Sequence, residues 1–301
     1  MKYEELQRVE AAAKRPNLWS YVSIIGSKLL LDKAREVTVE ERKRKLLEYI
    51  VRQADIHNDK IDRTLKVIED ALNGCGYELR RVKLKTISRG LIGGSETFGE
   101  IPFEVGLYFD PILNIPYIPG STIKGAVRSA TFDLLHREKL SAGRSDKEAG
   151  KEADDECIRI FGGRIGEDHS TGLVGFTDAY PIEKGEKGYL LYPDVMSPHY
   201  TDGTATELDV SPTPIIYLTI APGTKFQFYL FFRRERGSGE KKRKLTIRDS
   251  QDSDLAETPV QDLTKLGILD LGLLYAFCRG VGAKTSVGYS RFEILSYETV
   301  R

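Results

Sequence analysis

At Gly76 the hydrophobic rhythm of this chain changes from a repeat of about 3.6 residues to a repeat of two, the difference between an amphipathic helix and a half-buried strand. Before that point, residues 1–74 read as helical and nearly free of turn signals. Leu46, Leu47, Ile50, Val51, Ile61, Leu65, Ile68 and Leu72 recur at helical spacing, and Asn73-Gly74 is a C-terminal stop. Beyond it, Val82, Leu84 and Thr86 alternate with Arg81, Lys83 and Lys85, which predicts a strand over 77–88 with one apolar and one basic face.

Both rhythms return further on. Ile123, Ala126, Val127, Ala130, Leu134 and Leu135 predict a helix over 121–137, entered through the break at Pro119-Gly120 with Ser121 or Thr122 as its N-cap. Strands are expected at 172–180 and at 225–232, where Phe226, Phe228, Leu230 and Phe232 alternate. An apolar helix over 259–278 and a strand over 289–297 close the series. The resulting order, strand, helix, strand, strand, helix, strand, is the ferredoxin-like or RRM-like plan of the α+β class. The chain thus divides into an N-terminal helical extension, 1–74, and an RRM-like domain, 75–301, with insertions near 138–171, 181–214 and 233–258. Gly90 to Glu100 reads as a flexible loop and Phe103 to Phe109 as extended chain. Glu138 to Glu156 reads as a charged excursion, and Lys241-Lys242-Arg243-Lys244 lies in a solvated insertion.

Charge restricts the partners. In 301 residues, 45 Lys and Arg balance 45 Asp and Glu, so no global positive field exists and any nucleic-acid binding must come from a local patch or a composite groove. Cys75, Cys157 and Cys278 form no CxxC pair and no zinc spacing, and read as buried small residues in a reducing compartment. The N-terminus lacks a signal-peptide core and no apolar run approaches membrane length. The expectation is a soluble, cytoplasmic protein without metal or cofactor.

Two glycine-punctuated segments suit a phosphate backbone. Ile118-Pro119-Gly120-Ser121-Thr122-Ile123-Lys124-Gly125 and Gly280-Val281-Gly282-Ala283-Lys284-Thr285-Ser286-Val287-Gly288-Tyr289 each place glycines, hydroxyls and a lysine at an element boundary, where backbone N–H groups are free to meet an anion. Lys124 in a first helical turn opposes the helix dipole, with Arg128 one turn later, a choice that makes sense if an anion sits between them and the helix. The candidate RNA-binding set is therefore Ser121, Lys124, Arg128, the backbone of Gly280, Gly282 and Ala283, the side chains of Lys284 and Thr285, and the stripe Arg81, Lys83 and Lys85. A solvated lysine beside a tight turn and a solvated basic strand face are the plain alternatives. The residues argue against a P-loop, because Ala283 separates Gly282 from Lys284 and the loop follows a helix instead of a strand.

The run Ile115 to Arg128, followed far downstream by Gly280 to Tyr289, resembles the RAMP superfamily of CRISPR-associated RNA-binding proteins. Phe103 to Phe109, Asp194-Val195-Met196-Ser197-Pro198-His199-Tyr200 and Leu218 to Phe226 are similar to the family of the sixth-numbered RAMP subunit of type III-B (Cmr) effector complexes. The resemblance spans residues 74–297 and implies a non-catalytic subunit that caps the backbone filament near the 3′ end of a guide RNA. Its implied partners are the guide RNA, target RNA and other Cmr subunits, above all the repeated backbone RAMP subunit, with no membrane.

In target-cleaving paralogues an aspartate precedes the Ile-Pro-Gly motif; Glu104 stands at that place in an alternating apolar run, so no cleavage is expected. His57 and His136 fall on predicted helices, and His169 lies in an unrelated segment. The alternative is a metal-independent CRISPR RNA-processing endoribonuclease using His199, for which Asp194 and Asp202 are the nearby second groups.

Overall fold

A computed structural model describes residues 17–26, 38–165, 168–196, 214–232 and 267–300. Helices α1 (Val39–Gln53) and α2 (Asn58–Gly74) lead into strand β1 (Glu78–Thr86). Short strands β2 (Phe109–Asp110) and β3 (Ile115–Pro116) precede helices α3 (Gly120–Ser141) and α4 (Asp146–Phe161). Strands β4 (Gly162–Ile165), β5 (Asp168–Thr171), β6 (Val174–Phe176), β7 (Tyr180–Glu183), β8 (Leu191–Met196), β9 (Ile215–Ile220) and β10 (Lys225–Phe232) follow. Helix α5 (Ile268–Arg279) and strand β11 (Phe292–Val300) complete the described chain.

The main sheet runs β11, β1, β10, β6, with β7 also on β10, and every pairing is antiparallel. Alternation sorts its faces. Val82 and Leu84 of β1, Phe226, Phe228 and Leu230 of β10 and Ile294 of β11 pack with Val127 and Ala130 of α3 and Leu273, Leu274 and Phe277 of α5. The other face carries Tyr229, which belongs to a second cluster with Leu46, Leu47 and Ile50 of α1, Ile61 and Leu65 of α2, and Tyr217 of β9. Strands β8 and β9 pair as a separate antiparallel unit from Leu191↔Ile220 to Met196↔Ile215.

Helices α3 and α5 touch at a notch. A Cβ added to Gly272 would stand 2.1 Å from Thr131 Oγ1, a buried hydroxyl that has no hydrogen-bond partner among the described residues. Gly272→Ala is therefore expected to cost about 2 kcal/mol by overpacking. Adding Thr131→Ala should recover part of that loss in urea titrations. An undisturbed single variant would show that the helices part freely.

Several segments depart from the sequence reading. Glu138 to Glu156 is no excursion: α3 continues to Ser141, and Ser145 with Glu148 forms a capping box that starts α4. Ala149, Ala153, Cys157 and Phe161 recur every fourth residue and are buried, but small side chains on a charged helix leave a weak apolar signal. Gly90 to Glu100 is not a flexible loop, since Leu91, Ile92 and Phe98 are buried and Gly90 bridges to Ile220. Phe103 to Phe109 is not a continuous extended run. A kinked helical turn covers Thr97–Phe103, Glu104 turns left-handed at φ 65°, and Gly106 approaches Glu96 O so closely that a Cβ would lie 1.6 Å from it.

The strand expected over 172–180 is split into β6 and β7, because Thr177 and Asp178 leave the strand to serve β10 and α3. The N-cap of α3 is Pro119, not Ser121 or Thr122. Gly120 N donates to Asp178 Oδ1 at 2.7 Å, and a Cβ at Gly120 would lie 2.3 Å from Phe176 O. The last strand starts at Phe292, and α5 is described from Ile268; residues 259–266 and the Lys241 to Lys244 run lie outside the described residues. Of the cysteines only Cys157 is buried, while Cys75 is exposed. Among the described residues no helix is long and apolar enough to cross a membrane.

Candidate nucleic-acid interface

The glycine-rich loop is laid on the segment that follows β1. Ala283 N donates to Leu91 O at 2.7 Å, Leu91 N to Ser290 Oγ at 2.9 Å, and Ser290 N to Arg89 O at 2.8 Å. Gly282 sits at φ +131°, with the place of its Cβ 2.6 Å from Leu91 O. Close approach, as much as anion binding, therefore demands glycine here. The expected phosphate cradle is corrected in two places. Gly280 N is bound to Ala276 O at 2.9 Å and Ala283 N to Leu91 O, so neither amide is free. The amides of Gly282, Lys284, Thr285 and Ser286 donate to no described residue.

Lys284 is also corrected, for it points inward. Its Nζ donates to Tyr217 Oη at 3.2 Å and Met196 Sδ at 2.9 Å, and lies 4.8 Å and 5.6 Å from the ring centres of Tyr217 and Tyr289. Tyr289 Oη donates to Asp194 Oδ2 at 2.6 Å, and Tyr217 and Tyr289 hydroxyls meet at 3.2 Å. Asp194, only 7 % exposed, also takes a charge-assisted bond from Arg89, whose guanidinium lies 5.4 Å from the Tyr192 ring centre. Burial, followed by the hydrogen bond with Tyr289, pushes the Tyr217 hydroxyl up; burial and the Asp194 carboxylate do the same to Tyr289. Both remain phenols at neutral pH. Arg89, Tyr217 and Met196 escaped the sequence reading because their partners lie 67 to 105 residues away in the chain.

The other candidates are scattered. Ser121 is exposed and Lys124 makes no ion pair with a described residue, but the amide of Gly120 already donates to the Asp178 carboxylate, so the first amide of this helix is not open to an external anion. Arg128 pairs with Asp154 at 3.2 Å on α4. The basic stripe needs no polyanion to relieve it. Arg81 meets Glu69 at 2.6 Å and Glu298 at 3.9 Å, and Lys85 meets Glu293 at 3.7 Å; only Lys83 of this stripe has no described partner. The two glycine segments converge on one core cluster through Ile92, Ile118, Ile123 and Val281, although no described hydrogen bond joins them.

Nuclease candidates fare as follows. Glu104 is exposed and pairs with Lys43 at 3.0 Å. Asp110 Oδ1 accepts from the amides of Ile112 and Leu113, both at 2.8 Å, and so shapes the turn between β2 and β3. His57 is the N-cap of α2, and His136 stacks on Phe132 beside Asp146. His199, Asp202 and the side chain of His169 lie outside the described residues. No group of three His, Cys, Asp or Glu that could hold a metal ion occurs among the described residues.

The family model described as RAMP superfamily matches residues 83–293, from mid-β1 to the start of β11, and includes both glycine segments. The chain belongs to the RAMP superfamily. This RAMP chain is 33 % identical over 277 residues to the CRISPR system CMR subunit Cmr6 of Saccharolobus solfataricus, covering 91 % of the chain and 79 % of the relative. It is 28 % identical over 255 residues to the Cmr6 subunit of Pyrococcus furiosus, covering 69 % and 66 %. Among solved structures it resembles a chain of a cryo-EM structure of the Type III-B Cmr-beta bound to cognate target RNA, with a TM-score of 0.65, 29 % identity, and coverage of 95 % and 93 %. The RAMP match begins after α1 and α2, whereas that structural likeness covers 95 % of the chain.

Proposed function

We propose that this chain is a non-catalytic, guide-RNA-binding and assembly subunit of a type III-B CRISPR ribonucleoprotein, capping its backbone filament near the guide 3′ end in the cytoplasm. The observation that carries the reading is the likeness over 95 % of the chain to a chain of the RNA-bound Cmr-beta structure. The strand order β11, β1, β10, β6 with α3 and α5 on one face supports reading its core as ferredoxin-like. The amides of Gly282 and Thr285, which donate to no described residue, the exposed Ser121, and the cations Lys124 and Arg291, which make no described ion pair, offer phosphate contacts without base readout. Such contacts suit a subunit that accepts any guide sequence.

The test is a reconstituted complex carrying a guide with photoreactive uridines near its 3′ end. Cross-links to this chain are expected; their absence from a complete complex overturns the guide-binding role. The chain alone, with net charge zero, should bind single-stranded RNA weakly and with steep salt dependence. Glu104→Ala, Asp110→Ala and His199→Ala should leave target cleavage within a few-fold, because a general acid or base contributes about 10²–10⁴-fold. A loss of that size with guide content and stoichiometry preserved would make the chain an enzyme.

A further inference from the structure

We infer that Lys284 is a positioning residue, not a phosphate ligand: through Tyr217, Tyr289 and Asp194 it latches the glycine-rich loop to the unit formed by β8 and β9. The inference rests on the reading that this loop serves RNA, and it changes how the loop does so.

Proton directions fix the latch. Tyr289 commits its hydroxyl hydrogen to Asp194 at 2.6 Å, so Tyr217 donates to Tyr289 at 3.2 Å and accepts from Lys284 at 3.2 Å. The chain of donors runs one way, from the ammonium to the buried carboxylate, and Arg89 closes it from the other side. Each end belongs to a different part of the fold: Lys284 and Tyr289 to the loop, Asp194 and Met196 to β8, Tyr217 to β9, Arg89 to the segment after β1. Lys284 also holds a left-handed backbone, φ 56° and ψ 28°, which costs a non-glycine residue about 1–3 kcal/mol and persists only where the surroundings over-determine it. Two rings, a hydroxyl and a thioether around one ammonium supply that determination. Turning Nζ outward to a phosphate would abandon all of these contacts and leave Tyr217 without its donor.

The experiment uses the full chain with Lys284→Ala, Lys284→Arg, Tyr217→Phe and Asp194→Asn. Amide hydrogen exchange is read over residues 281–290, and oligouridylate affinity is read across a salt series. Lys284→Ala, Tyr217→Phe and Asp194→Asn are each expected to speed loop exchange at least about tenfold while α3 and α5 keep their protection. They should lower affinity by similar factors at unchanged salt slope, and Lys284→Arg, which can still donate to Tyr217 and lie over both rings, should restore most of both. The inference is overturned if Lys284→Ala leaves loop exchange at its original rate and reduces the slope by about 0.7, the signature of one lost phosphate contact on a single strand. It is equally overturned if Tyr217→Phe leaves the loop unchanged. Should the parent chain show no RNA binding even within the complex, the guide-binding reading fails, and the exchange arm alone still decides the latch.

Discussion

Gly282→Val is expected to lower the melting temperature by about 10 °C, the largest loss of any single change in the loop. Valine would have to hold φ +131°, and its Cβ would lie 2.6 Å from Leu91 O, 3.0 Å from Ile92 Cγ1 and 3.1 Å from Ser290 Oγ. The first of these is a backbone atom that cannot rotate away. Strain at such a backbone is about 1–3 kcal/mol, and separating the loop from Leu91 removes the Ala283 to Leu91 bond as well, for a total of about 3–5 kcal/mol. Gly125→Ala is the control from the other glycine segment: nothing lies within 4 Å of its Cβ position, inside α3. That change should stabilise the chain by about 0.5–1 kcal/mol. Thermal melts of the two variants decide the matter, and a Gly282→Val protein that melts with the parent would show that the loop is not clasped on the Leu91 segment.

How much of this was legible follows the reach of each interaction along the chain. Strand β1 was readable because Val82, Leu84 and Thr86 face one core, and β10 because Phe226, Phe228 and Leu230 face the same one. Local alternation carries that information. The burial of Ala149, Ala153 and Cys157 was missed although these positions recur at helical spacing, because the segment is dominated by charged residues and its buried face carries small side chains. The fold of Thr97 to Phe109 depends on Gly106 meeting Glu96, and on Phe98 stacking against Phe109 at 3.9 Å and Trp19 at 6.1 Å. Alternation of apolar residues there is real, but it reports a packed turn instead of a strand.

The site divides in the same way. The glycine segments stand out by composition, and the family match covers both. What each residue does was misjudged wherever an acid from elsewhere in the chain had already met it. Asp178 is 58 residues from Gly120, and Glu69 is 12 residues before Arg81 on a helix whose register against the sheet no local pattern states. A lysine in a glycine-rich loop reads as a phosphate ligand until Tyr217 and Met196, from two distant strands, surround it.

Glu69 gives the second large effect. Its side chain is 9 % exposed and joins α2 to the sheet by accepting from Arg81 at 2.6 Å, Tyr229 at 2.8 Å and Lys66 at 3.2 Å. Gln227 Nε2 in turn donates to Tyr229 Oη at 3.2 Å. Burial by itself would push the Glu69 carboxyl up; the bonds from Arg81, Tyr229 and Lys66 and the Arg81 charge outweigh it and hold the group below its ordinary value of 4.5. A depressed folded value means that the carboxylate contributes its stability above about pH 4.5, the unfolded value, and loses it as pH falls through the lower folded value. Arg81 keeps 31 % of its side chain exposed, so losing its partner costs less than the 3–5 kcal/mol typical of a fully buried pair. Glu69→Gln is thus expected to destabilise by about 2 kcal/mol at pH 7, or about 5 °C, through the loss of charge-assisted bonds. The sharper reading is the pH profile. Between pH 7 and pH 3 the parent should lose more stability than the variant, so the gap between their urea midpoints should shrink on acidification. A gap that stays constant across that range would mean Glu69 acts by shape and not by charge.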